Sequence, residues 1–149
     1  MRLIETDPAD PVAAALLDAY FAERAAGFPG GGYRVARPAP DAFRAPGVLL
    51  VADGFAIGGL RPLPDDDAGP RMEVKHLYVA PPARGRGLGR AVLDALVDRA
   101  RAAGAATVVL DTNRSLEAAG GLYRAAGFRS VPPYNDNTNA TDWYALRLS

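Results

Sequence analysis

The sequence predicts one α/β domain built on a mixed β-sheet with helices packed against it. In its first half, strand-like runs follow one another and include the hairpin signal Asp53-Gly54. In the second half, strand-like runs alternate with helical ones. Hairpins join antiparallel strands and helices join parallel ones, so the sheet should contain both pairings. The 149 residues suit a single domain over residues 1–149.

Each predicted element depends on its hydrophobic period and on the residues that bound it. Apolar and β-branched runs predict strands at residues 2–5, 48–52, 55–60, 72–79, 107–110, 128–131 and 143–148. Apolar residues that recur at steps of three and four predict helices at residues 8–26, 88–103 and 115–126. Gly104 and Gly127 follow the second and third helices as stop signals. Gly- and Pro-rich residues 27–46 and polar residues 132–142 are predicted as loops.

Composition excludes several functions. The chain has no Cys, so disulfides, thiolate metal sites and covalent cysteine intermediates are ruled out. Its single His argues against a multi-histidine metal site, and no metal is expected. Basic and acidic residues balance at 17 each, which argues against nucleic-acid and acidic-membrane partners. No secretory leader or membrane-long apolar run is recognisable, so a cytoplasmic protein is expected.

The most informative segment is the Gly-rich turn Arg84-Gly85-Arg86-Gly87-Leu88-Gly89-Arg90, which lies between a predicted strand and a predicted helix. Its glycines let a ligand approach the backbone closely, and the helix directs unpaired N–H groups into the turn. These features are typical of a phosphate or pyrophosphate site, for which the arginines supply opposite charge. The spacing matches neither a P-loop nor the dinucleotide fingerprint. A purely structural turn remains the alternative on this segment alone.

Two motifs together resemble the GNAT superfamily of N-acetyltransferases. Residues 74–93, with Leu77-Tyr78-Val79 followed by Arg84-x-x-Gly87-x-Gly89, are similar to its coenzyme A motif. Residues 121–128, Gly-Leu-Tyr-Arg-Ala-Ala-Gly-Phe, are similar to its second signature. Residues 132–135 and 143–144 resemble one bacterial branch of the family. The resemblance implies a mostly antiparallel sheet of six to seven strands, splayed into a V and flanked by about four helices.

The resemblance also implies a cofactor site and a reaction. Acetyl-CoA would be the cosubstrate and a primary amine the acceptor, with direct transfer in a ternary complex. The Leu77 amide would stabilise the oxyanion. The implied cofactor-binding residues are Leu77, Tyr78, Val79, Arg84, Gly85, Arg86, Gly87, Leu88, Gly89 and Arg90. Many relatives carry an Asn where this chain has Leu116, and either Asn113 or Ser115, as a helix N-cap, could take over part of that role.

Glu73 and Tyr123 are the candidate catalytic residues. Glu73 lies on the strand that leads to the implied cleft and would take the amine proton. The alternative for Glu73 is a surface carboxylate paired with Lys75 on the same strand face. His76 is a weaker candidate, because strand alternation turns it away from those neighbours unless a bulge intervenes. Tyr123 would donate to the departing thiolate; the alternative is an aromatic core residue.

The two loops should build the acceptor side, with Tyr33, Tyr134 and Asn135 as substrate-binding residues. A small amine or amino-acid-like acceptor is favoured, because these loops lack an acidic stripe suited to a basic peptide. A protein lysine or N-terminus is the alternative acceptor. A non-catalytic acyl-CoA sensor and a nucleotide-phosphate module are the alternative functions, and a homodimer remains possible.

Overall fold

A computed structural model describes residues 1–148. Its strands are β1 (Leu3–Thr6), β2 (Val48–Ala52), β3 (Ala56–Asp66), β4 (Gly69–Val79), β5 (Thr107–Thr112), β6 (Arg129–Val131) and β7 (Asp142–Arg147). Its helices are α1 (Pro11–Gly27), α2 (Leu88–Ala102) and α3 (Glu117–Ala125), and a 3-10 turn covers Pro81–Ala83.

The seven strands form one sheet in the order β1-β2-β3-β4-β5-β7-β6. Every neighbouring pair is antiparallel except β4 and β5, which are parallel. The predicted mixed, mostly antiparallel sheet is therefore confirmed. About four flanking helices were expected, whereas the described residues hold three α-helices and one 3-10 turn. The Gly- and Pro-rich residues 28–46 form turns and irregular backbone instead of a further helix.

The sheet splays open between β4 and β5, which gives the V expected from the resemblance. The two strands pair only where Arg71–Glu73 lie beside Thr107–Val109. Beyond that point residues 74–79 of β4 have no partner on β5. The remaining residues of β5 pair with β7 on the other side. The carboxyl half of β4 therefore offers unpaired backbone groups to the gap.

A bulge interrupts β4 at this opening. The register against β3 shifts between Gly59, which faces Lys75, and Ile57, which faces Tyr78. His76 takes the left-handed conformation, with φ +58°. Because the bulge adds one residue, Lys75 and His76 reach the same cavity on the α1 side. The prediction that His76 and Lys75 face opposite sides of the strand is therefore wrong. The bulge named as the condition for a different orientation is present.

Two apolar clusters hold the helices on opposite faces of the sheet. On one face, Tyr123 and Phe128 are buried together with the apolar side chains of α2, namely Leu88, Val92, Leu93, Leu96, Val97 and Ala100. On the other face, Leu17 and Phe21 of α1 pack with residues of β2 and β3. Gly59 allows the ring of Phe43 to contact the β3 backbone, where a Cβ would collide with it. Both faces are thus covered around the opening.

Candidate active site

One cleft, of about 560 Å³, lies between the open half of β4, the Gly-rich turn and α3. The cleft is lined by most of the predicted cofactor residues, namely Leu77, Tyr78, Val79, Arg84, Gly85, Gly87, Leu88, Gly89 and Arg90, together with Tyr123. Arg86 and Asn113 are not among its lining residues. The structure therefore brings both sequence motifs to one surface, although they are distant in the chain.

The Gly-rich turn exposes backbone amides to this cleft. Gly85 and Gly87 have φ values of +83° and +78°, and no atom lies within 4 Å of where a Cβ would stand on either. Gly87 is the N-cap of α2 and provides no side-chain cap for the first amides of the helix. Those amides and the positive end of the helix dipole favour an anionic group in the cleft.

The arginines beside the turn are partly neutralised. Arg84 donates two hydrogen bonds to Glu23, at 2.7 and 2.8 Å, and one from Nε to the Val79 carbonyl, at 2.9 Å. Arg90 donates to Asp94 one turn further along α2, at 2.9 Å. The cleft therefore offers an anion mainly backbone amides, because Arg84 must leave Glu23 to contribute its charge.

Tyr123 lies on α3 at the inner end of the cleft and is 6% exposed. Its ring centroid is 6.1 Å from those of both Phe128 and Tyr144. Burial raises the pKa of Tyr123 well above its usual range, so the phenol keeps its proton at neutral pH. Tyr123 therefore lines the cleft, as the catalytic interpretation expects, and also packs in an apolar cluster, as the core interpretation expects.

A second cavity, of about 520 Å³, lies on the α1 side of β4. Both predicted acceptor loops line it, through Tyr33 and Arg34 on the first and Asn135 and Asn139 on the second. The loops are tied together, because the Asn139 side chain exchanges two hydrogen bonds with the Arg34 backbone, at 3.0 and 2.8 Å. Tyr20 and Arg24 of α1 line both this cavity and the cleft. The two spaces therefore meet beside α1.

Glu73 is buried, with 1% of the residue exposed, and lines neither space. Its Oε1 accepts from Arg61 at 2.7 and 2.8 Å, and its Oε2 accepts from the Tyr134 hydroxyl at 2.6 Å. The surface pairing with Lys75 is wrong, because Arg61 faces Glu73 directly across β3 and β4. Tyr134, a predicted substrate residue, is thereby placed on Glu73 and away from the cavity lining.

The carboxylate that lines the second cavity is Asp111 of β5, which the sequence analysis missed. It lies 3.6 Å from the Lys75 ammonium and accepts from Asn135 Nδ2 at 2.7 Å. Asn135 in turn accepts from Trp143 Nε1 at 2.9 Å. A signal was available, because Asp111 directly follows a buried β-branched run. Asp111 reaches the cavity because the sheet opens between β4 and β5, and local sequence does not encode that opening.

Asn113, a predicted cofactor-binding residue, makes hydrogen bonds within the protein and does not line the cleft. It is buried; its side-chain amide donates to the Asn139 carbonyl at 3.1 Å and accepts from the Ser115 amide at 3.0 Å. Asn113 therefore anchors the loop that closes the second cavity.

His76 lines the second cavity, but its Nδ1 is buried without a hydrogen-bond partner among residues 1–148. Burial, reinforced by the charges of Lys75 and Arg61, lowers the pKa of His76 to about 3. The imidazole is therefore neutral at neutral pH and a weak proton acceptor.

Sequence comparison assigns the family. The model of the acetyltransferase (GNAT) family matches residues 13–128, and the chain belongs to that family. An Azospirillum brasilense protein named IAA acetyltransferase is 39% identical over 86 residues, which cover 58% of this chain and 56% of that protein. The chain thus matches little more than half the length of such relatives.

Solved structures share the fold. A Klebsiella pneumoniae protein assigned as an acyl-CoA N-acyltransferase matches with a TM-score of 0.74 at 20% identity, over 99% of this chain and 97% of its own. A Salmonella typhimurium protein, solved with its cofactor acetyl-CoA, matches with a TM-score of 0.66 at 20% identity, over 100% and 94%.

Residues 1–148 contain no helix long and apolar enough to cross a membrane. The same residues bring no three His, Asp or Glu side chains together in a way that could hold a metal ion.

Proposed function

We propose that this protein transfers an acetyl group from acetyl-CoA to the primary amine of a small molecule, by direct attack within a ternary complex. One observation carries the proposal: a cleft with exposed helix-start amides meets a second cavity beside Tyr20 and Arg24. A two-substrate transfer requires such an arrangement, because both reactants must be held next to each other. The Salmonella typhimurium protein of similar fold, which was solved with acetyl-CoA, supports acetyl-CoA as the cosubstrate.

The cofactor is proposed to bind along β4 and the Gly-rich turn. The unpaired backbone of Leu77, Tyr78 and Val79 would hydrogen-bond the pantetheine arm as an added strand would. The amides of residues 85–90 would hold the pyrophosphate. The Leu77 amide, beside the bulge, would stabilise the oxyanion that forms on the thioester carbonyl.

The attacking amine must lose a proton, and the geometry favours Asp111 over Glu73 as its acceptor. Asp111 lines the acceptor cavity, whereas Glu73 is almost fully buried and lines neither the cavity nor the cleft. We therefore assign Glu73 to positioning Arg61 and Tyr134, with Asp111 as the general base. The nitrogen forms its bond to the carbonyl carbon, and the carbon–sulfur bond then breaks.

Tyr123 is proposed to assist the leaving group. It lines the cofactor cleft and its phenol is protonated at neutral pH. A hydrogen bond from this phenol would stabilise the thiolate until the thiolate gains a proton. The chain has no Cys, so no acetyl-cysteine intermediate can form, which agrees with direct transfer.

The test is an acetyl-transfer assay with a panel of small primary amines. Release of free coenzyme A thiol and formation of the N-acetyl product are measured together, the latter by mass spectrometry. We expect both products in equal amounts with at least one class of amine. Binding of acetyl-CoA without transfer to any small amine or to peptide N-termini would instead indicate a sensor and would refute the enzymatic proposal.

A further inference from the structure

The acceptor cavity is strongly basic. Asp111 is the carboxylate among its lining residues. Five lining side chains carry positive charge: Arg24, Arg34, Arg37, Arg61 and Lys75. The chain as a whole carries equal numbers of basic and acidic residues, so this imbalance belongs to the cavity.

Three of the five cations have carboxylate partners within the protein. Arg37 pairs with Asp18, Arg61 with Glu73, and Lys75 with Asp111. Within the described chain, the Arg24 and Arg34 guanidinium groups have no carboxylate within salt-bridge distance. The excess positive charge is therefore concentrated on these two arginines.

Arg24 is held in place without being neutralised. Its Nη1 donates to the Tyr20 hydroxyl at 3.1 Å, and its guanidinium carbon lies 5.8 Å from the Tyr20 ring and 5.2 Å from the Tyr33 ring. The side chain is half-buried at the junction of the cavity and the cleft. A fixed, partly desolvated guanidinium favours a planar anion, and a carboxylate fits its paired N–H groups.

The opposite charge lies in the same cavity. Asp111 is mostly buried, with 7% of its side chain exposed. Arg24, Asp111 and Tyr20 all line this cavity. The remaining wall includes the apolar side chains of Phe21 and Phe43. The cavity therefore presents the Arg24 guanidinium, the Asp111 carboxylate, which also faces Lys75 at 3.6 Å, and an apolar surface to one small molecule.

On these grounds, and resting on the proposed acetyl transfer, we infer that the acceptor is an amino acid whose carboxylate binds Arg24 while its amino group binds Asp111. The amino group would thereby lie at Asp111, the side chain that the proposed transfer assigns as the general base. Arg34, exposed at the rim, would draw the anionic end inward.

A binding experiment tests the inference without turnover. The protein, saturated with coenzyme A, is titrated with each standard amino acid and with the matching amino-acid primary amide. We expect at least one acid to bind about tenfold or more tightly than its amide, because a charge-assisted contact is lost in the amide. Arg24→Gln should abolish that difference. Arg101→Gln, in a surface pair with Asp98, should preserve it.

Equal binding of every acid and its amide, or weaker binding of the acids, would overturn the inference. So would an Arg24→Gln variant that loses affinity for coenzyme A but keeps the acid preference. A parallel transfer assay separates the two proposals. Transfer to amines irrespective of a carboxylate would leave the acetyltransferase proposal standing while this inference fails. If amino acids bind in an Arg24-dependent way but no transfer is observed, the acetyltransferase proposal fails and the binding of an amino-acid carboxylate at Arg24 stands.

Discussion

The buried pair of Glu73 and Arg61 should respond unequally to neutralising each partner. Arg61→Gln leaves a carboxylate that is almost fully buried, with the Tyr134 hydroxyl as its remaining side-chain donor. Leaving a buried charge unpaired costs about 3–5 kcal/mol of folding free energy. Glu73→Gln leaves Arg61 instead, and that side chain is 43% exposed and can reach water. The expected cost of this second change is about 1–2 kcal/mol.

Thermal and urea unfolding of both single variants and of the double variant would measure this difference. At about 2–4 °C per kcal/mol for a chain of this size, Arg61→Gln should lower Tm by roughly 6–20 °C. The double variant should be no less stable than Arg61→Gln, because no unpaired buried charge remains. Arg44→Gln removes a fully surface pair with Asp41 and serves as the control, with a change of about 0–1 kcal/mol. A larger loss of folding stability in Glu73→Gln than in Arg61→Gln would show that the buried Glu73 carboxylate does not depend on Arg61 for its charge.

Three further predictions concern single side chains. Folding stability should fall as the pH drops from about 6.5 towards about 3, because the folded pKa of His76 is lowered and the unfolded chain takes up the proton. His76→Asn should remove that part of the slope in pH-dependent unfolding. Tyr123→Phe should reduce kcat by about tenfold to a hundredfold without changing acetyl-CoA affinity; an unchanged kcat would leave only its core role. Asp111→Asn should reduce kcat by about a hundredfold, and a greater loss in Glu73→Gln would return the proton-accepting role to Glu73.

The cleft beside the Gly-rich turn could be predicted in part from sequence, because each of its two motifs, residues 74–93 and residues 121–128, is continuous in the chain. The Gly-rich turn needs only a strand before it and a helix after it, and both were evident from apolar periodicity. Local detail was less certain. The first helix begins at Pro11, not Pro8, because Asp10 caps it by accepting from the amides of Val12 and Ala13.

The second cavity was predictable only in outline. The two loops were identified by their composition, and both line the cavity. Arg24 and Asp111, however, lie on α1 and β5, and only the folded sheet brings both to one cavity. The Glu73–Arg61 pair depends on strand register, and the position of His76 depends on one extra residue in β4. Register and bulges are set by tertiary packing, so neither could be derived from local patterns.

Calorimetric titration of acetyl-CoA into Gly87→Asn and Gly104→Asn variants tests whether acetyl-CoA binds at the Gly-rich turn. The two glycines lie at opposite ends of α2, have φ values of +78° and +86°, and have open space where a Cβ would stand. Asn tolerates this conformation, so both variants should fold. Gly87 alone lines the cofactor cleft. If acetyl-CoA binds at this turn, one molecule should bind per chain in the wild type and in Gly104→Asn, and the affinity should be at least about tenfold weaker in Gly87→Asn. Equal affinity in both variants would contradict binding at this turn.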